Sequence, residues 1–289
     1  MAGFNSVKEL VDAEMSGNGR FSTWRKTPTQ TTGAGVWFDL SMSPGNPSPQ
    51  YYAAAPGVAI AMSASSDGGL FHGANVGPNN KYLRKCMALT ATATAVPLPM
   101  IILDYLLYYP FIDESLDGEV QSFDNSLTLP RYTDGSGVQM MAVVVAGHAV
   151  GGQTFTVNYT NSDGVSGRIT PSVKINGQFV NGTIITTAQA TVGCAGPFVP
   201  LQNGDTGVRS IESITMTGSD VGLFTLVLVK PLAQMSIRGI DAPVEVDYVK
   251  DFGGIMPKIE DNAYLNFICC PNGTLSAAPI HGYIETVVG

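Results

Sequence analysis

Charge is scarce in this chain. Asp, Glu, Lys and Arg make up only 13% of its 289 residues while 44% are hydrophobic, against a usual charged share of about a quarter. Much of the surface must therefore be neutral Gly, Ser, Thr and Asn, which suits a subunit packed among others better than a free monomer. Positive charge is the scarcer sign, with 15 Lys and Arg against 23 Asp and Glu for a net charge of -8. Neutralising phosphates takes clustered cations, so no nucleic-acid partner is expected. No apolar run approaches the ~18 residues of a membrane-spanning helix. The best, PMIILDYLLYYP, is interrupted by Asp104 and bounded by prolines, and no membrane partner is expected. The first residues lack the basic, apolar and small-residue succession of a secretion signal, so a chain made in soluble form is expected.

Catalytic signatures are missing as well. There is no GxSxG elbow and no GxxxxGK[ST] phosphate loop. His72, His148 and His281 stand far apart, each flanked by Gly, unlike the paired ligands of HExxH. Cys86, Cys194, Cys269 and Cys270 show no CxxC spacing, and read as reduced, mostly buried residues. The expectation is a protein that is not an enzyme and has no cofactor.

What is present is β-rich. The one clear helix spans Asn5 to Ser16, with Ser6 and Glu9 at capping-box spacing, an apolar stripe of Val7, Leu10, Val11 and Met15, and Gly17 at its end. GRFSTWRKTPTQTTG then reads as an extended arm holding the basic cluster Arg20, Arg25 and Lys26. It is either solvated on its own domain or reaches a neighbouring subunit, with Phe4, Phe21, Trp24, Arg25 and Lys26 as contacts. From Ala34 to Asn80 the only formal charges are Asp39 and Asp67. Strands are expected at AGVWFDLS and GVAIAMSAS, around the rigid loop SPGNPSP that leads to Tyr51 and Tyr52, and part of this segment is expected to lie against another protein.

YLRKCMALTATATAV reads as a strand. PMIILDYLLYYP and VQMMAVVVA read as a core strand pair joined by the acidic loop FIDESLDGEVQSFDNSLTLP. TFTVNYTNSDGVSGRITPSVKI and GVRSIESITMTGSDVGLFTLVLVKPL read as hairpins. GTIITTAQATVG, AYLNFICC and IHGYIETVV read as further strands, and DAPVEVDYVKDFG as a short helix. About ten short strands spaced by turn residues predict a mainly β fold, a Greek-key or jelly-roll β-sandwich, one large or two smaller. The expected division is a helix and arm over 1–33 and a sandwich body over 34–289, with two halves possible and a boundary near 130–150.

Asp113, Glu114, Asp117, Glu119 and Asp124 fall within twelve residues of the loop. Three readings stay open there: a solvated loop, a loop docked on a partner's basic patch with Arg131 as internal counter-ion, or a Ca²⁺ site of Asp113, Glu114, Asp117 and Glu119. The spacing does not match an EF-hand. Tyr105, Tyr108, Tyr109, Phe111 and Tyr132 flank the loop. They suit core and subunit contact, with Tyr51, Tyr52, Tyr108 and Tyr109 as partner-contact candidates, and sugar binding as the alternative use of such rings.

GVWFDLSMSPGNPSP, DYLLYYPFID, SLTLPRYTDGSGVQ, VNYTNSDG and AYLNFI together resemble the pattern of tailed-bacteriophage virion proteins of the minor capsid type. The resemblance implies a component of an assembled particle located in the virion, with copies of itself and other capsid proteins as partners. A head decoration or cement subunit is the first expectation, held by apolar burial and edge-strand pairing across subunits. A carbohydrate- or receptor-binding virion protein and a major capsid subunit of β-sandwich type are the alternatives.

Overall fold

Two long strands form the axis of the molecule. β6 (Leu98–Asp113) and β13 (Leu223–Ile237) pair along almost their whole lengths. The computed structural model describes residues 3–52, 56–187 and 192–289, with only the backbone given for Ser66 and Asp67. The central sheet has the order β2 (Phe38–Asp39), β16 (Tyr264–Cys269), β6, β13, β8 (Gln139–Ala146), and β4 (Ile60–Ala61) joins β6. A second sheet runs β14 (Val244–Asp247), β5 (Lys81–Thr90), β17 (Ile280–Val288), β1 (Gly19–Lys26), β3 (Gly45–Asn46), with β15 (Lys258–Ile259) also on β5. A third runs β10 (Arg168–Ile169), β9 (Thr154–Asn161), β12 (Val208–Thr217), β7 (Val120–Ser122), with β11 (Val173–Lys174) on β9. All these strand pairs are antiparallel.

Strand alternation sends successive side chains to opposite faces, and this divides the core. Leu98, Met100 and Ile102 of β6 meet Ala233, Met235 and Ile237 of β13, and pack with Trp24, Cys86, Ile280 and Ile284 of the second sheet. Farther along the same two strands, Leu106, Tyr109 and Ile112 join Phe224, Leu226 and Leu228 against Phe155, Val157, Tyr159 and Ile214 of the third sheet. Leu103, Tyr105, Val227 and Val229 form a further cluster with Met62, Tyr264 and Ile268. The fold is mainly β, with antiparallel sheets packed as in a sandwich, and the central sheet contributes to every core cluster.

Several expected elements differ. The helix forms as α1 (Val7–Ala13), capped by Ser6, whose Oγ accepts from the Glu9 N–H at 3.2 Å. The expected arm is instead a strand: β1 pairs residue by residue with β17, from Gly19 opposite Val287 to Lys26 opposite Ile280. The two apolar strands flanking the acidic loop do not pair with each other, because β13 lies between β6 and β8. GSDVG is not a hairpin turn but a corner, since β12 belongs to the third sheet and β13 to the central one. Ala93–Ala95 is a 3-10 turn rather than a continuation of β5. The predicted helix near 241–253 reduces to β14 followed by one turn, Tyr248–Asp251. In GTIITTAQATVG, Thr183 and Ile184 make single bridges to Phe38 and Val143, and residues 188–191 fall outside the described residues.

Candidate subunit-contact surface

The outward face of the second sheet is built by the alternation of β1. In FSTWRK, Phe21, Thr23 and Arg25 are exposed while Ser22, Trp24 and Lys26 are buried. Register carries the outward set across the sheet: Phe21 lies opposite Glu285, Thr23 opposite Tyr283, and Arg25 opposite His281. The same rows continue to Lys85, Met87 and Leu89 on β5. The Phe21 and Tyr283 rings sit 4.7 Å apart, and the Tyr283 hydroxyl donates to Glu245 at 2.5 Å.

Beside this face stands α1. Of its apolar residues Leu10 is buried while Val7 and Val11 are 63% and 43% exposed, and Met15, in the turn Glu14–Asn18 that follows, is 82% exposed. Phe252 and Ile255, after the last helical turn, are also exposed, and half-buried Phe4 lines with Ile255 and Met256 a cleft at the helix start. Arg84 ties the neighbourhood together by pairing with both Glu14 and Asp247. Phe4, Phe21 and Arg25 therefore stand where a partner can reach them.

Other expected contacts do not. Trp24 is 2% exposed, with its ring 4.4 Å from that of Phe267. Lys26 is fully buried, and its Nζ donates to the carbonyls of Pro47 at 2.9 Å and Ser43 at 3.0 Å. Burial lowers its pKa to about 8. Tyr51 is exposed, but Tyr52, Tyr108 and Tyr109 are buried. The Tyr52 and Tyr105 hydroxyls donate to buried Asp39 at 2.7 and 2.6 Å, and burial raises the Asp39 pKa. Tyr109 donates to Asn125 Oδ1 at 2.9 Å. Tyr108 and Tyr109 thus turn their rings inward and leave no ring face exposed.

The acidic loop is also less open than its composition suggests. β7 pins its middle to β12, Asp113 Oδ1 accepts from the Ser115 N–H at 2.8 Å, and Asp117 Oδ1 accepts from the Gly218 N–H at 2.7 Å. Glu114 is fully buried, with His148 Nδ1 3.6 Å from its carboxylate. Glu119 stays exposed. Among the described residues no three His, Cys, Asp or Glu side chains come together as metal ligands, so the candidate Ca²⁺ set of Asp113, Glu114, Asp117 and Glu119, one of three open readings, is not assembled. Arg131 does not serve the loop either. It is buried against Asp104 of β6, with Nη2 and Nε donating to the two carboxylate oxygens at 2.7 and 2.9 Å. It also donates to the carbonyls of Met62 and Tyr105.

No family model matches the chain, and no curated protein matches it. Among solved structures it overlays on the VP2 subviral particle of infectious bursal disease virus at 10% identity, with a TM-score of 0.21, covering 93% of this chain and 80% of that one. The T=1 particles derived from the same virus give 11% identity and a TM-score of 0.19, covering 93% and 77%. Overlays at that level carry no functional inference.

Proposed function

We propose that this protein is a non-enzymatic structural subunit of a phage particle, a head decoration or minor capsid component that binds neighbouring subunits. The observation that carries the reading is the apolar set Val7, Val11 and Met15, left exposed on α1 and the turn after it, beside the mixed aromatic and charged face of Phe21, Tyr283, Met87 and Leu89. Exposed apolar side chains grouped in this way mark interaction surfaces. The low total charge and the virion-type sequence segments support the same reading.

The contact is α1 with the outer sheet face, not an arm reaching to Lys26. Deleting residues 1–26 would remove β1 from between β17 and β3 and test folding rather than attachment. Substituting Val7, Val11 and Met15 together by Asp leaves the core untouched. In purified particles quantified by mass spectrometry, the wild-type chain is expected at many copies and the triple variant at less than a tenth of that number. Wild-type incorporation by a variant with an unchanged circular dichroism spectrum would refute the contact, and absence of the wild-type chain from particles would refute the function.

A further inference from the structure

A cavity of about 320 Å³ lies behind the start of β1. Its polar lining comes from Asn18, Arg20, His72, Asn79, Lys81 and Thr286. Arg20 lies with its guanidinium carbon 5.1 Å from the centre of the Phe71 ring and makes no ion pair among the described residues. Lys81 is 2% exposed and has no carboxylate at ion-pair distance either. Its Nζ is held by the Ala74 carbonyl at 2.7 Å and His72 Nδ1 at 3.0 Å.

The histidine cannot supply the missing negative charge. Its Nε2 contacts the Ala263 carbonyl at 2.8 Å, so that nitrogen carries the proton and Nδ1 accepts from the ammonium. Burial brings the His72 pKa down to about 4, leaving the ring neutral at pH 7. Asp261 is the carboxylate that acts on Lys81, but its two oxygens accept from the Val76 and Gly77 N–H groups at 2.9 and 3.1 Å. Two cations of a chain with net charge -8 thus border one cavity without a direct counter-ion. Lys81 is the buried one of the two, Arg20 being exposed, and an anion brought into the cavity offsets the cost of burying its charge.

We propose that this cavity is a binding site for an oxyanion group, a phosphate or a carboxylate, held by the Arg20 guanidinium with the Lys81 charge behind it. The Asn18 and Asn79 amides add donors to the lining, while the Thr286 hydroxyl donates to the His72 carbonyl at 3.5 Å. Gly73 leaves room for the Arg20 side chain, since a Cβ there would come within 2.9 Å of Arg20 Nε. The cavity is partly open to solvent, which admits an oxyanion group carried by a larger molecule or by an acidic side chain of a second copy.

The test is titration of the full chain with inorganic phosphate at constant ionic strength, followed by amide chemical shifts around Gly73 and Thr286. Saturable shifts are expected, with affinity reduced at least tenfold in Arg20→Ala, whose side chain is exposed and outside the core. Non-saturating shifts, or equal affinity in wild type and Arg20→Ala, would overturn the site. Sedimentation separates the sources. Self-association lost both in Arg20→Ala and on adding phosphate identifies the carboxylate of a second copy, whereas phosphate binding with an unchanged monomer identifies a free ligand. Association lost in Arg20→Ala but indifferent to phosphate would overturn the proposal.

Discussion

The Arg131 guanidinium bridges the Asp104 carboxylate and the Met62 and Tyr105 carbonyls inside the protein. Burial outweighs this pairing and raises the Asp104 pKa to about 6. An unfolded Asp titrates near 4, so between about 4 and 6 the folded chain holds a proton that the unfolded chain has lost. The contribution of this group to stability therefore falls as pH rises through that window, and acidification restores it. Arg131→Met leaves the carboxylate buried and unpaired, a change worth about 3–5 kcal/mol at pH 7.5. Urea unfolding should show that loss, shrinking as pH is lowered from 7 to 5, and the double variant Asp104→Asn, Arg131→Met should recover much of it. A pH-independent loss would mean that the carboxylate is not what Arg131 neutralises. The sequence placed Arg131 after an acidic loop and suggested the loop as its partner. Its partner lies 27 residues back on β6, and no spacing rule connects the two.

Elements were legible where their signals were local and opaque where partners were distant. Ser6 and Glu9 announced the helix because a capping box is complete within four residues. GSDVG looked like a hairpin because nothing local tells a turn within one sheet from a corner between two. β1 shows the same limit: its alternation was visible in FSTWRK, but strand β17, its partner, begins 254 residues after Lys26 in the chain. Reading that alternation as one buried and one exposed face would have separated Trp24 and Lys26 from Phe21 and Arg25. The separation predicts unequal costs. Trp24→Ala empties a core site against Phe267 and should cost about 3–5 kcal/mol, whereas Phe21→Ala removes a 59% exposed ring resting on Tyr283 and should cost less than about 1 kcal/mol. Chemical denaturation of the two variants measures both. Equal losses would place both rings in the core, contrary to the register of β1.

At the scale of the whole molecule, the sequence left open whether the body is one sandwich or two, and the central sheet supplies a physical argument. Leu98, Met100 and Ile102 of β6 belong to the core shared with the second sheet, and Leu106, Leu107, Tyr109 and Ile112 of the same strand belong to the core shared with the third. β13 repeats the arrangement in reverse, with Phe224, Leu226 and Leu228 in one cluster and Ala233, Met235 and Ile237 in the other. Separating the two cores would require breaking the β6–β13 ladder, so damage to either should propagate to both. Trp24 reports on the first core, and Trp37→Phe leaves it as the only tryptophan. Phe155→Ala creates a cavity in the second core, where Phe155 packs on Phe224 with ring centres 5.5 Å apart, and should cost about 3–5 kcal/mol. In that background the Trp24 fluorescence midpoint should fall together with the circular dichroism midpoint, as in a single cooperative transition. A Trp24 midpoint that stays in place while the β signal splits into two steps would instead show two independently folding halves, with β6 and β13 crossing their boundary.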